Sequence, residues 1–244
     1  WLQGSGSPVS HTNTNSAVES MAEAVLRWKN EYLPARRNEI YNNQTVGNGG
    51  EIPLPQVGAA SFQLTPLLQA PAPSHAFVPS DNSLGLTWIG LAAFEPFDTS
   101  GWIAGTTGIG YERTSGYQSL IGTNVNTQMM SNNSIYIRIP FNVADPSALD
   151  SLELRMQWDD GFVAFINGTV VQADNAPGTV TWNSAALNAN HEANAGSFDI
   201  YNITQHLGAL KTGQNILAIH GLNQGTGSSD MIIRPELYGG TPLA

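Results

Sequence analysis

Asp159 and Asp160 are the residues that type and spacing best equip for chemistry. They sit side by side in "LELRMQWDDGFVAFINGTVV", residues 152–171. Two carboxylates can serve a glycosidase as acid and nucleophile, or offer oxygens to a hard cation. A retaining glycosidase needs its carboxyl groups about 5 Å apart across a substrate. Adjacent strand residues point to opposite faces, which argues against that use. Asp-Asp-Gly is also corner chemistry: Asp side chains accept backbone amides, and Gly161 reaches conformations closed to other residues. The corner of a sandwich is the preferred reading, with a cation as the functional alternative and catalysis last.

A second run of oxygens lies in "WNSAALNANHEANAGSFD", residues 182–199, where Asn188, Asn190, Glu192 and Asn194 alternate. Calcium takes about 6–8 such oxygens, backbone carbonyls included. The run lacks the Asp density and central Gly of a calcium hand, so a polar loop is the competing reading. The candidate ligands for a structural calcium ion are Asp159, Asn188, Asn190 and Glu192. No two histidines have zinc spacing, and no His-Glu-x-x-His occurs. His220 ends an apolar strand and reads as a core histidine bonded to a carbonyl. Ser228, His220 and Asp230 form a triad only on paper, because no G-x-S-x-G elbow supports them. "GTTGIGYER", residues 105–113, is neither a Walker loop nor a dinucleotide fingerprint. No catalytic residue is expected.

Aromatic faces are the remaining currency. A sugar site needs a flat ring beside a few convergent polar groups. Trp158, Trp182, Trp102, Tyr111 and Tyr117 can supply the ring. Arg138, Asp160, Asn183 and Asn223 can supply the polar groups. The ligand-binding candidates are Trp158, Asp160, Arg138, Trp182, Asn183 and Asn223. For both tryptophans a core position is the competing reading.

These residues need elements to hold them. "SIYIRIPF" alternates Ile135, Ile137, Ile139 and Phe141 against Tyr136, Arg138 and Pro140. "LELRMQW" alternates Leu152, Leu154, Met156 and Trp158 against Glu153, Arg155 and Gln157. Period two with one apolar face predicts half-buried strands. "GFVAFING" and "NILAIHGLN" are apolar on both faces, which predicts central strands. Asn167-Gly168 is a strong hairpin turn. Short strands without long helices between them predict an antiparallel β-sandwich over 88–244. Before it, Ser16 and Glu19 have capping-box spacing, and Val18, Met21, Ala22, Val25, Trp28 and Tyr32 recur at helical intervals. That places a helical segment in 1–46. Prolines at 53, 55, 66, 71, 73 and 79 predict an extended linker over 47–87.

Three of these segments carry a resemblance. "WDDGFVAFINGTVVQADNAPGTVTWNSAA", "FDIYNITQHLGALKTGQNILAIHGLN" and "SSDMIIRPEL" resemble a galactose-binding-like jelly roll of large exported planctomycete- and verrucomicrobia-type bacterial proteins. The resemblance covers about residues 88–238. "WKNEYLPARRNEIYN", within 17–42, resembles the C-terminal tail of a spore-coat-H-like kinase domain. The catalytic core of such a kinase has no counterpart here, so no phosphotransfer is implied. The resemblance implies a jelly-roll fold and export, makes core positions of Trp158 and Trp182, and leaves the ligand open.

Bulk properties narrow the partners. Only 11% of the 244 residues are charged, against roughly 25% in ordinary soluble proteins. The net charge is −10, a poor field for nucleic acid or anionic membrane. The absence of cysteine removes disulfides and thiolate chemistry. No run of about 18 apolar residues predicts a membrane span. The chain begins at Trp1 without a signal peptide and is expected to be a piece of a longer polypeptide. The expectation is a non-catalytic extracellular module that binds glycan or a cell-surface polymer. The alternative is a structural subunit of a fibre, sheath or surface layer, its N-terminal segment and linker packed on neighbouring copies.

Overall fold

The computed structural model describes residues 62–189 and 195–243, all within one compact unit, Ala60–Ala244. The helix and kinase-tail-like stretch expected in 1–46 lie outside the described residues.

Twelve strands are described: β1 Phe62–Leu68, β2 Pro73–Phe77, β3 Ile103–Thr106, β4 Ile109–Glu112, β5 Thr123–Asn124, β6 Ser134–Val143, β7 Ser151–Asp159, β8 Gly161–Ile166, β9 Thr169–Asp174, β10 Asp199–Asn202, β11 Gly213–Leu222 and β12 Asp230–Pro242. They form two six-stranded sheets. The first has the order β10-β7-β12-β4-β5, with β1 beside the C-terminal half of β12. The second has the order β3-β2-β6-β11-β8-β9. Pairing is antiparallel except for the short β4–β5 pair. The mainly-β antiparallel sandwich expected from the sequence is the fold. Among the described residues no helix is long and apolar enough to cross a membrane.

Alternation builds the core. Ile135, Ile137, Ile139 and Phe141 of β6 meet Leu152, Leu154, Met156 and Trp158 of β7 in one cluster between the sheets. Each such burial contributes about 1.5–3 kcal/mol. Strands β8 and β11 are apolar on both faces and lie next to each other inside the second sheet. Their inner residues Phe162, Ala164, Ile166, Leu217 and Ile219 join the same cluster. The outer residues Val163, Phe165, Ile216 and Ala218 form a second cluster with Trp88, Ile89 and Tyr136. Trp88 stacks on Tyr136 at 4.1 Å. That cover, from the segment before β3, buries the second face of β6. The strand expected to be half-buried is therefore buried on both faces, Tyr136 and Arg138 included.

The linker boundary also needs correction. The sandwich starts at β1, not at residue 88, because part of the proline-rich stretch supplies two strands. Prolines survive in sheets at first positions, edges and bulges. Pro73 opens β2. Pro66 lies beside the register shift of β1, which pairs with β12. The part of the linker before Phe62 lies outside the described residues.

Asn167 and Gly168 both have positive φ, 49° and 89°, and turn β8 into β9. Asn167 also ties this hairpin to β11, accepting from the Ile216 amide at 3.0 Å and donating to Asn215 at 2.7 Å. The peptides Ala70–Pro71, Glu95–Pro96 and Asp159–Asp160 are cis.

Candidate functional site

The Asp-Asp-Gly stretch joins β7 of the first sheet to β8 of the second. It is the corner where the chain crosses the sandwich. Asp159 and Asp160 are only 1% and 3% exposed. Tyr117 donates its hydroxyl to Asp159 Oδ2 at 2.8 Å. The Gln224 amide donates to Asp160 Oδ2 at 2.7 Å. Asn175 Nδ2 donates to the Asp160 carbonyl at 2.7 Å. The regular strand ends at Asp159, and Asp160 lies just beyond it. Burial, and then the Asp160 charge, push the Asp159 carboxyl up to about 8. Burial and the Asp159 charge likewise push the Tyr117 hydroxyl up.

Gly161 serves the corner by close approach, not by an unusual φ. A Cβ there would meet the Asn175 carbonyl oxygen at 2.8 Å. Asn223 is fully buried nearby, donating to the Tyr111 hydroxyl at 2.7 Å. The Oδ1 atoms of Asp159 and Asn223 are buried without a hydrogen-bond partner. The corner thus gathers Asp159, Asp160 and Asn223, but in a closed setting.

The other expected residues scatter. Trp158 lies in the inter-sheet core, 2% exposed, edge-on to Phe162 and donating to Asp199 at 2.9 Å. A sugar platform needs a free ring face, so Trp158 is corrected to a core residue. Trp182 is half-buried against the outer cluster. Asn183 is exposed and accepts from Thr181 at 3.1 Å. Asn188 is exposed, its carbonyl taking the Asn175 side chain at 2.7 Å. Asn190 and Glu192 lie outside the described residues. No group of three or more His, Asp or Glu side chains among the described residues gathers as a metal centre. His220 bonds Ser134 Oγ at 2.8 Å rather than the expected carbonyl. Ser134 donates onward to the Ser184 carbonyl, so His220 Nε2 is the donor. Burial lowers the His220 pKa to about 3.

Arg138 leads to a different place. It lies on the outer face of β6, opposite His75 of β2 and Ala218 of β11. Directly paired residues share a face, so His75 and Arg138 stand side by side. By the same rule Pro140 pairs with Ile216. His75, Arg138, Pro140 and Ile216 form the floor of a cleft of about 450 Å³. Phe97 and Glu95 form one wall, and Lys211 and Gln214 another. Arg138 donates to Glu95 at 2.7 Å and to the Trp88 carbonyl. The Glu95–Arg138 pair is mostly buried. Lys211 is exposed, yet its backbone is fixed: its amide donates to Asn215 at 2.9 Å and its carbonyl accepts from Asn215 at 2.7 Å. Sequence reading reached only Arg138 of this set. The others come from separate segments that only strand register assembles.

No protein-family model and no curated relative matches the chain. Among solved structures it is similar to a β-glucuronidase of an uncultured Clostridium sp., at 11% identity and TM-score 0.41, covering 75% of this chain and 29% of that one. A Bacteroides uniformis β-glucuronidase follows at 14% identity and TM-score 0.41, covering 73% and 18%. A Ruminococcus gnavus β-glucuronidase has 8% identity and TM-score 0.40, covering 74% and 29%. The chain thus spans less than a third of the length of each.

Proposed function

We propose that this chain is a non-catalytic module of an exported protein, binding glycan in the cleft on the outer face of the second sheet. The observation that carries the reading is one cleft of about 450 Å³ where the Phe97 ring and Ile216 meet the polar heads of His75, Gln214 and Lys211. Ligand sites of this kind are concave, mostly apolar, and carry a few converging polar groups. Phe97 and Ile216 give apolar surface for the C–H groups of a sugar, and the polar heads suit its hydroxyls. The weakly charged surface favours the same ligand class. The non-catalytic part rests on the Asp159–Asp160 pair, which is buried at the sheet-to-sheet corner where a substrate has no place.

The test is a glycan array probed with the full chain and with Phe97→Ala. The expected result is a defined set of glycans bound by the parent and weakened about tenfold or more in the variant. Binding that ignores Phe97, or an empty array, would overturn the reading.

A further inference from the structure

The charge of the cleft names its ligand more closely. The chain carries a net charge of −10 and only two lysines. One of them, Lys211, stands on the wall of this cleft. The Arg138 charge is matched by Glu95 at 2.7 Å. Lys211 forms no ion pair among the described residues, so its charge is left over. Its backbone is clamped on both sides by Asn215, which holds the base of a free side chain at a fixed place. His75 faces the same space and adds a ring nitrogen. A neutral sugar would leave the ammonium without a counter-charge. A sugar acid would supply it.

We propose that the cleft selects an acidic saccharide, whose carboxylate or sulfate is met by Lys211 with His75 beside it. This rests on the glycan reading of the same cleft. Exposed charges act through a field that salt screens within about 8–10 Å, so binding is expected to weaken as salt rises. A charge-assisted hydrogen bond from Lys211 corresponds to about a tenfold change in affinity.

The experiment is titration calorimetry on the full chain with three probes of equal length: an oligogalacturonate, a sulfated galactose oligosaccharide and a neutral galactose oligosaccharide. Lys211→Gln and Lys211→Arg are titrated alongside, with melting temperature as the folding control. The proposal expects one or both acidic probes to bind at least about tenfold more tightly than the neutral one. It also expects loss of that preference in Lys211→Gln and its return in Lys211→Arg. The two acidic arms separate carboxylate from sulfate. Equal binding of neutral and acidic probes, unchanged in Lys211→Gln, would overturn the charge assignment and leave the glycan reading standing. Failure of all three probes together with an empty array would remove both.

Discussion

The guanidinium carbon of Arg138 lies 4.7 Å from the centre of the Phe97 ring. One residue is in the middle of a sheet and the other is in a loop far away in sequence. Their contact, with the Glu95 ion pair, fixes the wall of the cleft to its floor. Arg138→Met keeps the volume and removes the charge. It strands Glu95 in a mostly buried place, and breaking buried pairs costs about 3–5 kcal/mol. Because Glu95 retains some exposure, a loss of about 2–3 kcal/mol is expected in urea unfolding, together with loss of glycan binding. Arg138→Met with unchanged stability would show that the ion pair does not hold the wall.

Asp159 makes stability depend on pH in a defined direction. Its folded value is raised to about 8 by burial and by Asp160, against about 4 in the unfolded chain. The unfolded state therefore loses its proton first as pH rises. Stability from this group is full below about pH 4 and is lost progressively up to about pH 8, by at most about 1.4 kcal/mol per unit. Asp159→Asn should flatten that decline. Urea midpoints at pH 5 and pH 8 for parent and variant check it, and parallel declines would contradict it.

His220 acts in the opposite direction. Burial lowers its folded value to about 3, while the unfolded side chain titrates near 6.5. As pH falls below about 6.5, only the unfolded state takes the proton, and stability is lost down to about pH 3. His220→Gln keeps an N–H donor for Ser134 and removes the titration. The variant should resist acid better than the parent in a melting series from pH 7 to pH 4. An identical acid profile would place the acid sensitivity elsewhere.

Gly161→Ala should weaken the corner without touching the cleft. The new methyl would press on the Asn175 carbonyl oxygen, which is backbone and cannot swing aside. Forced overpacking of this kind costs about 1–3 kcal/mol. A melting curve measures it, and a variant as stable as the parent would mean that the corner relaxes freely.

What the sequence discloses here is local. The alternation of Ile135, Ile137 and Ile139 marks β6 and its inner face. The same phase places Trp158 with Leu152, Leu154 and Met156, which marks a core position and not a ligand platform. Asn167-Gly168 announces its own turn. The cleft and the first two strands are not local. Strand β1 is recognisable only through its pairing with Thr241 and Gly240 near the far end of the chain. His75 joins Arg138 through register, and Glu95, Phe97 and Lys211 arrive from segments with no shared pattern. The burial of both Asp159 and Asp160 is hidden for a related reason: alternation describes a strand and stops where the strand ends.

The most direct test of the glycan cleft is amide chemical-shift mapping on the full chain. The titrant is the tightest oligosaccharide from the array. The expected perturbations group at residues 95–99, at Arg138 and at 211–216, with His75 among them. Perturbations grouped instead at 159–161 and 223–230, or spread without a focus, would contradict it.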